Sequence, residues 1–310
     1  MKIMYMGTPL FAAKVLEILR SEFPKDEITV VTKVDTPKGR AYKLSPSETK
    51  LCALDLGLEV YQPENLKEEN FCEILKKTSP DIIIVAAYGK ILPEYVLNIA
   101  KYGAINVHGS LLPEYRGAAP VNRAIMDGKD KTGVTIMYME KGLDTGDMLS
   151  KAEVEITDTM TATELFDALA DVGGKLLVKT VKDIVNGTYS RVKQDDEKAT
   201  YAEKITSDDQ KIDWSKPKFE IVRKIHGLSS EPGAFTKTND GKILRIFRAE
   251  MSNDIFDAPC GEIVLFKKKI QVACCDGSII LKELQLEGSK RMSGADFING
   301  RKLALGDMLN

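Results

Sequence analysis

The 310-residue chain carries 44 Lys and Arg against 46 Asp and Glu, a net charge of −2, with 43 % of its residues hydrophobic. That length and composition suit folded domains, a pair of them at this size, and exclude a disordered or collagen-like chain. No run of about 18 uncharged apolar residues occurs, and residues 2–7 are too short and too soon followed by Pro9 for a secretory signal, so a cytoplasmic protein with no membrane partner is expected. The five cysteines, at 52, 72, 260, 274 and 275, form an odd set without a C-x-x-C, and only two histidines could join them. Buried free thiols and no metal are therefore expected.

In chain order, residues 2–7 are an apolar run ending in Gly7-Thr8-Pro9, followed by helical spacing of Phe11, Val15 and Ile18, which reads as strand, turn and helix. A dinucleotide-binding turn would need more glycine, and only Gly7 is present, so a nicotinamide or flavin enzyme is disfavoured. Residues 28–32 are a second strand. From Lys33 to Lys50 the cations Lys33, Lys38, Arg40, Lys43 and Lys50 face only Asp35 and Glu48, and the stretch lacks apolar periodicity. It reads as a long basic loop, with Lys38, Arg40 and Lys43 as candidate phosphate contacts. Helix at 50–57, strand at 58–61 and helix at 66–77 lead to residues 81–87, apolar on both faces and so a central strand of a parallel sheet. Beyond it lie Tyr88, Gly89, Lys90, Ile91, Leu92 and Pro93, where open α/β sheets bind their ligands.

Residues 104–108, Ala-Ile-Asn-Val-His, read as another strand, and side chains two apart share a face, so Asn106 sets an amide beside the imidazole of His108. Behind them, Gly109, Pro113, Gly117 and Pro120 punctuate a long loop. The run from Asn106 to Gly117, Asn-x-His followed by Ser-Leu-Leu-Pro-x-x-Arg-Gly, resembles the signature of the folate-dependent formyltransferases. Further likeness lies at residues 6–9, 85–89, 133–137, 142–147 and 201–205. The resemblance implies an Asn106, His108 and Asp144 catalytic set. It also implies a folate site formed by the backbone of Tyr88, Gly89, Ile91 and Leu92, walled by Ser110, Leu111, Leu112 and Pro113.

A helix at 118–126 and a strand at 133–139 follow. Asp144, at the carboxyl end of that strand, is expected at the same sheet edge as His108. From Thr161 a long amphipathic helix carries Leu165, Leu169, Val172 and Leu176, with Thr161 and Glu164 as a capping box. Residues 187–206 are polar and read as an exposed linker between a catalytic domain, 1–186, and a smaller domain, 207–310. In the latter, strands at 242–249, 262–266, 269–274 and 278–286, with turns at Gly241, Gly261 and Gly277, suggest a small barrel. The resemblance implies an OB-like barrel there, of a kind that binds oligonucleotides. Lys237, Lys242, Arg245, Arg248 and residues 267–269 could line a phosphate track. The family commonly carries a Pro-Trp-Pro segment where this chain has residues 229–233, Ser-Ser-Glu-Pro-Gly. His226 is read as structural.

The fold class is thus α/β, a Rossmann-like formyltransferase domain with a mostly parallel sheet followed by the OB-like domain. The implied reaction moves the formyl group of 10-formyltetrahydrofolate to the α-amine of methionine on initiator tRNA, the protein working as a monomer without metal. Asn106 and a protonated His108 would donate to the oxyanion, with Asp144 holding the imidazole. A formyltransferase for a sugar-nucleotide or ribonucleotide amine would keep the same trio. A non-catalytic tRNA-binding protein would leave it idle.

Overall fold

The computed structural model describes residues 1–38, 43–67, 69–300 and 303–310. The chain forms two compact units. The first comprises Met1–Gly117, Thr132–Val154 and Phe166–Tyr201, the second Ala118–Lys131, Glu155–Leu165 and Ala202–Asn310.

In the first unit, β1 (Lys2–Gly7) leads to α1 (Leu10–Glu22) and β2 (Glu27–Val31). Gly7 has the space this turn requires: a Cβ there would meet the Cβ of Ala12 at 2.6 Å, so its absence lets α1 close on the sheet. The basic segment is not loop throughout, since β3 (Thr36–Lys38) and β4 (Lys43–Ser45) pair antiparallel, Lys38 opposite Lys43. Arg40 lies outside the described residues. Then come α2 (Glu48–Asp55), capped by Ser47, β5 (Glu59–Tyr61), α3 (Glu69–Thr78) and β6 (Ile82–Ala86). Every residue of β6 is buried, as its two-faced apolar pattern requires. A short α4 (Glu94–Leu97) precedes β7 (Ala104–His108), and the two-residue β8 (Arg116–Gly117) follows.

The chain continues through α5 (Pro120–Met126), β9 (Lys131–Tyr138), β10 (Met148–Glu155) and α6 (Ala162–Asn186). The seven-stranded sheet has the order β10-β9-β7-β6-β1-β2-β5. Strands β1, β2, β5, β6 and β7 run parallel, Val85 beside Asn106, whereas β9 runs antiparallel to β7 with Ile105 opposite Tyr138 and His108 opposite Thr135. One core layer packs Met4, Met6, Val31, Ile83 and Val85 under Phe71 and Leu75 of α3, each such burial contributing about 1.5–3 kcal/mol.

Along the polar stretch 187–206 most residues are exposed; Gln194, 5 % exposed, and Ala202, fully covered, are buried, and the Gln194 amide finds protein partners instead of water.

After β11 (Tyr201–Ala202), the second unit continues through α7 (Ser207–Gln210) and α8 (Lys218–Gly227) into β12 (Ala234–Lys237), β13 (Ile243–Ser252), β14 (Ile263–Phe266), β15 (Ile270–Cys274), β16 (Gly277–Leu286), β17 (Met292–Ser293) and α9 (Gly294–Asn299). The last six strands form one sheet, antiparallel throughout, in the order β12-β13-β16-β15-β14 with β17 on β16. Its core packs Leu244, Ile246, Val272 and Ile279 with Ile221 and Ile225 of α8 and Phe297 of α9. Of the expected phosphate track, Lys242 is paired with Asp240, Arg248 with Glu164 and Lys269 with Asp254. His226 is 3 % exposed, its Nε2 2.9 Å from the carbonyl of Ala249, and burial lowers its pKa, which fits a structural role.

Arg123 of α5 grips Asp209 of α7 with two bonds of 2.9 Å. This guanidinium first, then the Thr206 amide and hydroxyl, hold the Asp209 carboxyl well below the usual carboxylate range. Because the folded pKa is depressed, the stabilisation is complete above the unfolded value of about 4 and is lost as pH falls through the lowered one. In acid unfolding, the stability advantage over Asp209→Asn should therefore shrink below about pH 4. An advantage that stays constant down to about pH 2 would refute the linkage.

All five thiols are free, but only Cys52 and Cys274 are buried and Cys275 is exposed, which corrects the expectation of burial for all. Burial pushes the Cys52 thiol up to about 12 and that of Cys274 to about 11. Among the described residues no His, Cys, Asp and Glu cluster suits a metal, and no helix is long and apolar enough to cross a membrane.

Candidate active site

Strand β7 ends on Asn106 and His108, with Asn106 half-buried and His108 5 % exposed. Among the described residues no partner meets the Asn106 amide. The imidazole is bonded at one nitrogen and faces a carboxylate with the other. Its Nε2 lies 3.0 Å from the carbonyl of Tyr115, and its Nδ1 lies 3.7 Å from Oδ2 of Asp144. The same Oδ2 accepts the Gly117 amide at 2.9 Å. His108 and Asp144 thus meet, with Asn106 two residues back on the same strand, but by a route the sequence does not suggest. Since β9 is antiparallel, its carboxyl end lies beside Ile105, at the wrong end of β7 for a direct meeting. The segment from Met139 to Asp147 must double back, and Asp144 takes φ +51° to do so. Such a conformation costs a non-glycine residue about 1–3 kcal/mol and persists only where its surroundings fix it.

They do. Gln194 donates from Nε2 to the carbonyls of Asp144 and Gly146, both at 2.8 Å, and accepts the Arg116 Nε at 3.0 Å. Arg116, 2 % exposed, also donates to Asp196 at 2.8 Å. The Tyr115 amide donates to Thr200 at 2.8 Å. Gln194 and Thr200 are absent from the sequence-level candidates; the polar run around Gln194 hides a buried amide, and nothing in its spacing signals one.

The loop behind β7 is fastened from within. Ser110, fully buried, donates to the Glu114 carbonyl at 2.6 Å, and the buried Thr135 hydroxyl donates to the Ser110 carbonyl at 2.7 Å while accepting the Leu112 amide at 3.1 Å. Leu112 packs against Met137 and Met148. The Lys151 ammonium donates to the Leu112 carbonyl, and burial lowers its pKa. Ser110 and Leu112 are thus buried and fasten the loop from within, whereas Leu111 and Pro113 are half-buried.

A similar alternation marks the loop after β6: Tyr88 and Leu92 are buried, whereas Gly89 is exposed and Ile91 is 94 % exposed. Gly89 has φ +72°, and a Cβ there would meet the Lys33 ammonium at 2.5 Å. The Tyr88 hydroxyl, buried, has no hydrogen-bond partner among the described residues, and burial raises its pKa to about 12.

Comparison with known proteins fits this arrangement. The family described as formyl transferase matches residues 1–181, and that described as formyl transferase, C-terminal domain, matches residues 204–302. A methionyl-tRNA formyltransferase of Fusobacterium nucleatum is 43 % identical over 312 residues, covering 100 % of both chains. Another, of Caldicellulosiruptor saccharolyticus, is 46 % identical over 314 residues with the same coverage. Among solved structures, HypX of Aquifex aeolicus in complex with tetrahydrofolic acid shares the fold at TM-score 0.70 and 15 % identity, over 96 % of this chain and 47 % of its own, so the chain spans about half of HypX. An N-formyltransferase of Helicobacter canadensis, in complex with folinic acid and dTDP-3-aminofucose, aligns at TM-score 0.67 and 20 % identity over 91 % and 98 % of the two chains. The two solved structures share the fold; the family matches and the full-length likeness at 43 and 46 % identity show more, and the chain belongs to the formyltransferase family, among the methionyl-tRNA formyltransferases.

Proposed function

We propose that the chain transfers the formyl group of 10-formyltetrahydrofolate to the α-amine of methionine on initiator tRNA, giving N-formylmethionyl-tRNA for translation initiation. The observation that carries this reading is an imidazole, His108, that faces a carboxylate, Asp144, with the amide of Asn106, which no partner among the described residues meets, two positions back on the same strand. Attack of a neutral amine on a formyl carbon puts negative charge on the carbonyl oxygen and positive charge on the nitrogen. Asn106 donates to that oxygen. His108 donates as well by exchanging the Tyr115 carbonyl for it, a favourable trade because a bond to an anionic acceptor is roughly twice as strong as one to a neutral carbonyl. Apo structures commonly hold such donors on local acceptors before substrate arrives. Asp144 is assigned to fix the imidazole from the other side and to take the amine proton through water, the proton then passing to the folate nitrogen as the formyl C–N bond of the donor breaks and tetrahydrofolate leaves.

The residues after β6 and β7 suit the co-substrate as an exposed edge and a half-buried one, each on buried supports. Gly89, Ile91, Leu111 and Pro113 face it, while Tyr88, Leu92, Ser110 and Leu112 hold those edges from beneath. The positive φ of Gly89 exposes backbone polar groups to a flat, polar-edged ring. No metal is needed in this scheme, since side-chain donors meet the oxyanion.

Lys38 and Lys43, register partners of β3 and β4, and Arg40, two residues after Lys38 in the sequence, are assigned to the tRNA backbone. Replacing Arg40 and Lys43 together by Ala should weaken tRNA binding and lower the slope of log affinity against log salt by about 1.4–1.8, at 0.7–0.9 per lost phosphate contact. An unchanged slope would remove these residues from the tRNA site. The reading as a whole is tested by supplying the formyl donor with charged initiator tRNA or with a nucleotide-linked amino sugar. N-formylmethionine in the first tube supports it; product in the second alone overturns it.

A further inference from the structure

Beyond the trio, we infer that Gln194 is a positioning residue for the transfer step, holding the Asp144 loop in its strained conformation with its amide while Arg116 holds the amide. The inference rests on the proposed formyl transfer. Its basis is a chain of buried bonds from a segment that reads as linker. Gln194 is 5 % exposed, and its two donor bonds end on the carbonyls of Asp144 and Gly146, both at 2.8 Å. These carbonyls flank the turn in which Asp144 takes φ +51°, a state that relaxes unless fixed from outside. The assignment of the amide is not arbitrary. Its oxygen must face the Arg116 Nε, which only donates, and its NH₂ must face two carbonyls, which only accept. Arg116 is itself anchored at Asp196, 2.8 Å away.

Gln194 touches the backbone of Asp144, not its carboxylate, so it acts through where that carboxylate sits. The tolerance is narrow, because Asp144 Oδ2 must stay near His108 Nδ1, at 3.7 Å, while keeping the Gly117 amide at 2.9 Å. A shift of about 1 Å at a reacting group typically costs about 10²-fold in rate.

The test is a double-mutant cycle on the full chain with charged initiator tRNA and the formyl donor. Gln194→Leu removes the donors and the acceptor. Gln194→Glu keeps the shape and the Arg116 partner but turns oxygen toward the two carbonyls. Both are expected to lower kcat by about 30- to 300-fold with the tRNA KM changed less than about threefold. Placed on Asp144→Asn, the same changes should cost less than about twofold more, since a group acting through Asp144 has nothing left to position. Equal losses in both backgrounds overturn the inference, as does wild-type kcat in a folded Gln194→Glu. Unfolding of both single variants also overturns it, because the amide would then hold the fold instead of one loop. If Asp144→Asn alone leaves kcat intact, it is the formyl-transfer reading of the trio that falls.

Discussion

Asp144→Asn is expected to lower kcat for formyl transfer by about 10²–10³-fold while leaving folate affinity within about twofold. The substitution is nearly isosteric, so the fold should tolerate it: an amide oxygen can still accept the Gly117 amide that Asp144 Oδ2 now accepts at 2.9 Å. What it removes is charge. A carboxylate 3.7 Å from Nδ1 of a His108 that is 5 % exposed acts across little water, where electrostatic effects are much stronger than at a surface. The neutral amide leaves the imidazole without its counter-charge when the oxyanion forms, and leaves the attacking amine without a proton acceptor. Turnover within about threefold of the parent would end the assignment of Asp144 to the chemistry.

The second large effect is expected at a residue with no functional group. Gly146→Ala would set a Cβ 1.9 Å from the carbonyl oxygen of Tyr138. Neither side can yield cheaply. Tyr138 ends β9, and its amide donates to Asp147 at 2.9 Å, while the Gly146 carbonyl accepts from Gln194 at 2.8 Å. Either the β9-β10 connection opens or the turn carrying Asp144 moves. Overpacking of this kind costs about 1–3 kcal/mol, and displacement of the carboxylate adds about 10² in rate. Urea unfolding and turnover measured together should show both losses; a variant as stable and active as the parent would mean that the turn is not rigid.

How the sequence relates to this site can be read residue by residue. The Asn106 and His108 pair is visible because strand periodicity alone places both on one face, and β7 falls at 104–108 as expected. β6 was likewise legible from its unbroken apolar run. β10 is hard to read in the sequence: Ser150, Ala152 and Val154 alternate with the more exposed Lys151, Glu153 and Glu155, but its polar content resembles a loop. The direction of β9 leaves no mark in its composition; only pairing with β7 reveals it, and with it the need for the Asp144 turn to double back. Gln194 was hidden for a related reason, since a polar residue whose partners are backbone carbonyls far along the chain has no local signature.

Ser110 and Leu112 show the converse. Their place in a shared signature marks them as important without saying how, and the geometry makes them fasteners of the loop: one bonds the Glu114 carbonyl, the other fills a small core with Met137 and Met148.

The most direct measurement is single-turnover formyl transfer at saturating donor and charged initiator tRNA, comparing the parent with Asn106→Ala and His108→Ala. Each variant is expected to bind both substrates normally and to form N-formylmethionyl-tRNA about 10²–10³-fold more slowly, as loss of one oxyanion donor requires. A rate near that of the parent in either variant would contradict the claim that these side chains meet the charge that develops on the formyl oxygen.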